Sequence, residues 1–190
     1  MPRHFLATAV VAAALVASVP VSAQKFSGKF SGFNEVGGLG AGETGAILSQ
    51  GTGTIKLKLD KNAGTITYEL TYSGLSANVT QSHIHFGRVH SAGGIMVFFC
   101  TNLGNEPAGT PACPPTGGTV TGTITAASVL AVPGQNITAG DFDAIIDALF
   151  ANAAYGNIHT VKFPAGEIRA QIRKRHNDED HDQEAGDKDK

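Results

Sequence analysis

TIKLKLDKNAGTITYELTY, residues 54–72, decides the fold. Ile55, Leu57 and Leu59 alternate with Thr54, Lys56 and Lys58; after Lys61-Asn62-Ala63-Gly64 the alternation resumes, Ile66, Tyr68, Leu70 and Tyr72 against Thr65, Thr67, Glu69 and Thr71. A period of two puts every apolar residue on one side of an extended chain, and Asn and Gly between the runs supply the turn. The segment predicts a hairpin with one buried face.

Outward from it, similar runs recur at Lys25 to Phe33, Thr80 to Phe86, Ile95 to Cys100, Thr119 to Thr125, Asn157 to Phe163 and Glu167 to Arg173. Short strands separated by Gly- and Pro-rich turns predict an all-β fold, an antiparallel two-layer β-sandwich, Greek-key-like, of about 8 strands. One segment departs from the pattern. Thr138 is placed to cap a helix with Asp141 and Asp143 in its first turn, and Phe142, Ile145, Ile146, Leu149 and Phe150 then recur at helical spacing. A short amphipathic helix over about residues 139–153, packed on the sheet, is expected.

The chain has 190 residues, 42% hydrophobic and 16% charged, with 24 glycines and no tryptophan. This fits one globular domain and excludes a coiled coil or a wholly disordered chain. With a formal net charge of -2 there is no overall basic excess, so nucleic acid is not expected as a partner. Residues 1–23, MPRHFLATAVVAAALVASVPVSA, join a basic start to a 15-residue apolar run and the small residues Val21-Ser22-Ala23. That is the form of a secretory signal peptide cut before Gln24, and the run is shorter than the ~20 residues that span a bilayer. No transmembrane segment is expected after cleavage, and the product is expected to be secreted, periplasmic or extracellular.

In such a compartment Cys100 and Cys113, the only cysteines, are expected to pair across a Gly-, Pro- and Asn-rich loop, stabilising the fold by about 3 kcal/mol on the chain-entropy account. A thiolate metal or redox pair would want closer spacing, such as C-x-x-C. Charge concentrates at the end of the chain: residues 173–190 carry 5 Lys/Arg and 7 Asp/Glu, against 8 and 9 in the 149 residues from Gln24 to Ile172. That end reads as a disordered charged tail, as a loose divalent-cation tract at Asp178, Glu179, Asp180, His181 and Asp182, or as a means of surface attachment.

Chemistry, if any, falls on the histidines. His83 and His85, two apart on a strand, project to one side; His159 is the natural third from another strand, and His90 a possible fourth. Neutral imidazoles in this arrangement suit copper or zinc. The competing reading has them hydrogen-bonded to backbone or to Glu167, organising loops without a metal. Glu167 and Arg169 share one face of the last strand, where Glu167 could orient a ligand histidine or join an ion pair anchoring that strand. There is no G-x-S-x-G elbow, no phosphate-cradling glycine loop between strand and helix, and no H-E-x-x-H, so hydrolase and nucleotide chemistry lack support.

Taken together, Asn34-Glu35-Val36 with Gly42 to Gly45, Gly74-Leu75, Ser82-His83-Ile84-His85-Phe86-Gly87, Ala154-Tyr155-Gly156-Asn157-Ile158-His159-Thr160 and Pro164-Ala165-Gly166-Glu167-Ile168-Arg169 resemble the CHRD domain, the module repeated in chordin and found singly in secreted bacterial proteins. The resemblance covers about residues 25–172, within an expected domain of residues 24–172. Ala170 stands where the family commonly has glycine, and Gly156 interrupts its usual Tyr-Val-Asn. The resemblance implies a secreted β-rich domain without established catalytic activity, binding a protein or glycan partner or serving structurally. The order H-x-H, later His, late Arg is also similar to the copper half of copper/zinc superoxide dismutase. The zinc half would need histidines and an aspartate where this chain has Ser-Ala-Gly-Gly-Ile-Met-Val-Phe-Phe-Cys after His90. The alternative function is thus a copper- or zinc-binding protein, with redox chemistry open to it.

Overall fold

A computed structural model describes residues 23–36 and 45–175. The hairpin forms as β2 (Thr52–Asp60) and β3 (Thr65–Ser73). Its register is the one the alternation requires: Ile55 opposes Leu70, Leu57 opposes Tyr68 and Leu59 opposes Ile66, all six buried. The Asp60 carboxylate accepts the Asn62 and Ala63 N–H groups to close the turn, and Gly64 adopts the left-handed φ of 62° that suits glycine.

Around the hairpin stand β1 (Gln24–Ser31), β4 (Val79–Phe86), β5 (Ile95–Thr101), β6 (Gly118–Ile124), β7 (Ala154–Thr160), β8 (Ile168–Gln171) and β9 (Arg173–Lys174). These strands make one antiparallel sheet of order β5-β4-β7-β8-β1-β2-β3-β6, with β9 beside β1. The all-β antiparallel class is the one adopted. Its two layers are the halves of a single sheet, curled into a nearly closed barrel so that β5 nears β6. Tyr68 bridges that seam: its hydroxyl donates to the Phe99 carbonyl at 2.7 Å, and the two rings stand 5.1 Å apart. Glycine at position 122 leaves room for the phenol, into which a Cβ would run.

The helix α1 (Phe142–Phe150) is shorter than expected at both ends. Gly140 turns the chain with a φ of 83°, so Asp141 rather than Thr138 is the N-cap, accepting from Ala144 N at 3.0 Å. At the other end Asn152 is left-handed, and Asn152 and Ala153 return their N–H groups to Leu149 and Ala148, a Schellman closure that stops the helix just before β7. Ile145, Ala148 and Leu149 are buried on the sheet.

β7 begins at Ala154, three residues earlier than expected, with Gly156 letting the Phe30 and Phe99 rings press against the strand. Cys100 and Cys113 are disulfide-bonded, which ties the end of β5 to the loop before β6. Pairing continues into the charged end, where β9 lies along β1 and Arg175 N donates to Lys25 O at 2.8 Å. Residues 173–175, read from the sequence as the start of a disordered tail, are thus part of the paired structure. The leader residues 1–22 and the tail residues 176–190 lie outside the described residues. Among the described residues no helix is long and apolar enough to cross a membrane.

Candidate functional site

β4 is flanked by β5 and β7, and its residues Ser82 to His85 are buried. His83 is 0% exposed, and His85 and His159 are 7%. One ring nitrogen from each of the three lies within 4.8 Å of the other two. His90 is not with them. The chain leaves β4 at Phe86 and turns, placing an exposed, left-handed His90 (φ 60°) in a surface pocket beside Lys29 and Arg169.

Hydrogen bonding sets the imidazole tautomers. His85 Nδ1 lies 2.9 Å from the Gly93 carbonyl oxygen, and His159 Nδ1 lies 2.9 Å from that of Pro164. A carbonyl only accepts, so each Nδ1 carries the hydrogen and, in the neutral ring, each Nε2 presents a lone pair. Both lone pairs face Asn157 Oδ1, at 2.9 and 3.0 Å, an acceptor that cannot serve them. An amide NH2 has two hydrogens and serves both rings at once; a half-turn of the Asn157 amide places it there. Both His83 ring nitrogens are buried without a hydrogen-bond partner.

The electrostatics favour neutral rings. Burial, with His159 and His85 nearby, pulls His83 down to about 2. Burial takes His85 down to about 4, and lowers His159, in each case against the opposing hydrogen bonds from Nδ1. A stack of rings extends from the cluster: His85 lies flat on Tyr155, with centroids 4.8 Å apart and planes 3° from parallel, and the Arg169 guanidinium lies 3.3 Å from the Tyr155 centroid. Arg169 also donates to the Arg88 and Ser91 carbonyls at 3.0 and 2.8 Å. Glu35, buried beside it with Oε1 unpartnered, has its carboxyl pushed up by burial to about 7 despite the pull of Arg169.

Glu167 does not orient a histidine. Its carboxylate accepts from Ser49 Oγ, Ser76 N, Ser76 Oγ and Thr160 Oγ1 at 2.6 to 2.9 Å. Neither Glu167 nor Arg169 belongs to an ion pair; among the described residues that geometry occurs only between Lys56 and Glu69. His85 and His159 are oriented by backbone carbonyls, which no side-chain pattern in a sequence reveals. Asn157 and Tyr155 were legible in principle. They precede His159 by two and four residues on a strand, so period two alone puts all three on one face.

Gly93 joins the loop to the cluster: its carbonyl holds His85, its N–H donates to Tyr155 Oη at 3.1 Å, and a Cβ on it would run into the Phe86 carbonyl. Gly93→Ala is expected to lower the unfolding free energy by about 2 kcal/mol and to move the His85 imidazole nitrogen resonances, as read by urea titration and NMR. Gly134→Ala, with open space around its Cβ position, is the neutral control.

No curated protein and no solved structure gives a significant match to the chain. The family model for the CHRD domain matches residues 26–172, the stretch that runs from within β1 past the end of β8 and contains all the residues of the buried cluster. The chain belongs to the CHRD-domain family.

Proposed function

We propose that the chain works outside the cytoplasm, after loss of residues 1–23, as a non-enzymatic binding module. The observation behind this reading is burial: His83, His85, His159, Glu167 and Arg169 are 7% exposed or less, and a substrate would have to displace packed strands to reach them. Expression of the whole chain followed by N-terminal sequencing tests the export. The expected product begins at Gln24, lies outside the cytoplasm and contains no free thiol. A product that keeps Met1 and stays inside the cell would overturn it.

A second reading is favoured by one specific observation, the two unpartnered nitrogens of buried His83 beside the inward lone pairs of His85 and His159. In this reading the cluster holds a single copper or zinc ion. Ligating histidines commonly give their second N–H to a backbone carbonyl, the part Gly93 and Pro164 play here. An ion bound at roughly 2.0–2.1 Å needs its ligand nitrogens about 3.4 Å apart, so the rings must draw together and the Asn157 amide must withdraw. Metal analysis and copper and zinc titration of the chelator-stripped protein are expected to give about one ion per chain, lost in a folded His83→Ala/His85→Ala variant. Absence of stoichiometric metal from the wild type would leave the cluster as a hydrogen-bonded part of the core.

A further inference from the structure

The strands β9, β1 and β2 lie side by side and present one outer face. From β1 come Lys25 and Lys29, from β2 Lys56 and Lys58, and from β9 and the residue after it Arg173 and Arg175, all exposed. The register brings them together. Lys25 stands opposite Lys58, Arg173 and Lys56 both stand opposite Ser27, and Arg175 N donates to Lys25 O. In a chain of net charge -2 this is a strong local excess of positive charge.

Little on the face neutralises it. Lys56 pairs with Glu69 at 2.7 Å, and the Asp60 carboxylate is engaged by the N–H groups of its own turn. The other five cations have no ion-pair partner among the described residues. Like charges directly across a strand pair are unfavourable, so the Lys25 and Lys58 pairing is a cost that the fold carries.

The surface between the cations shows what would cover it. Shallow cavities of about 420 and 240 Å³ lie over the face, the first lined by Lys25, Lys56, Lys58 and Arg175, the second by Lys29 and Arg173. Hydroxyls of Ser27, Thr54 and Thr67 stand among them. The large exposed apolar side chains, Phe33, Leu48, Val89, Leu103, Phe150 and Val161, belong to none of these three strands. The face therefore has no wedge for a lipid bilayer and no aromatic platform for nucleic-acid bases. Rows of ammonium and guanidinium groups interleaved with hydroxyls match a hydrated chain that itself alternates anionic groups and hydroxyls.

We infer that the outer face of β1, β2 and β9 binds an acidic polysaccharide, a glycan chain bearing sulfate or carboxylate groups. This rests on the binding-module reading and names its partner.

The test passes the mature full chain over immobilised dextran sulfate and alginate. Retention at low ionic strength and release by about 0.5 M NaCl is expected, because exposed charges are screened within a few ångströms at that salt. The variant Lys25→Gln/Lys29→Gln/Lys58→Gln/Arg173→Gln is expected to bind about tenfold or more weakly with thermal unfolding unchanged or shifted upward by relief of the Lys25 and Lys58 repulsion, whereas Lys61→Gln/Lys162→Gln, altered elsewhere, binds as wild type. Flow-through of the wild type, equal retention of the four-site variant, or equally tight retention on duplex DNA of matched charge would overturn the assignment. Export and cleavage before Gln24 are measured on the same protein, so loss of glycan binding by a correctly exported chain sinks this inference alone.

Discussion

Lowering the pH from 6.5 to 4.5 is expected to remove several kcal/mol from the unfolding free energy, a large part of what holds a typical domain together. The cause is the buried cluster. A histidine with a folded pKa below its ordinary value is protonated first in the unfolded chain, so acid draws the equilibrium toward unfolding. His83 and His85, at about 2 and about 4, and His159, shifted the same way, all act in this sense once the pH falls below 6.5. Glu35 acts in the opposite sense. Its carboxyl, raised to about 7, is protonated first in the folded chain, and the stability it contributes below its unfolded value of 4.5 is lost as the pH rises toward 7. Three histidines against one carboxyl leave a net uptake of at most about two protons on unfolding, reached between about pH 5 and 6 where unfolded histidine is protonated, or at most about 2.7 kcal/mol per pH unit.

Urea titrations at several pH values between 7 and 5, in the presence of a chelator, give that slope directly. Glu35→Gln is expected to steepen it toward three protons. His83→Gln, which removes a ring with no hydrogen-bond partner, is expected to flatten it toward one. A flat profile for the wild type would mean that the three imidazoles are not held neutral, and would remove the tautomer assignment with it. Below pH 4.5 the loss continues through Glu167. Burial pushes its carboxyl up, but the bonds from Ser49, Ser76 and Thr160 outweigh that and hold it below its ordinary value.

The hairpin from Thr52 to Ser73 was legible because its hydrophobic pattern and its turn agree, and a slip of one residue would turn Ile55, Leu57 and Leu59 out to solvent. The convergence of His83, His85 and His159 was legible from period two together with the placing of two strands. What surrounds them was not. The acceptors that fix the rings are the carbonyls of Gly93 and Pro164, backbone atoms whose positions depend on loop conformation. Helix ends proved equally local. Thr138 and Asp141 are both good capping residues, and the choice between them was made by Gly140, whose left-handed φ starts the helix three residues later than composition suggests. The basic face was hidden for another reason. Lys25, Lys56 and Arg173 are far apart in the chain and meet only through the pairing of β1 with both β2 and β9.

Glu167→Ala is expected to cost about 3–5 kcal/mol, the range found when one partner of a buried, charged hydrogen-bond network is removed. The carboxylate is 0% exposed and receives four hydrogen bonds from three separate parts of the chain: Ser49 ahead of β2, Ser76 between β3 and β4, and Thr160 at the end of β7. Truncation leaves the Ser76 N–H and three hydroxyls without their acceptor. Glu167→Gln separates charge from shape. It keeps one acceptor oxygen, and the hydroxyls can rotate to accept from its NH2, so a loss of about 1–2 kcal/mol is expected. Urea unfolding at neutral pH measures both, and the glutamine variant should also lose the part of the acid sensitivity that appears below pH 4.5. Equal losses for alanine and glutamine would assign the effect to the negative charge itself, whereas a loss below about 1 kcal/mol for alanine would show that the loops carrying Ser49 and Ser76 are held by other contacts. The site matters beyond stability because Glu167 lies on the short connection from Pro164 to β8, and Pro164 supplies the carbonyl that fixes His159. A slackened Glu167 network should therefore register at the His159 imidazole nitrogens while leaving those of His85, anchored on Gly93, in place.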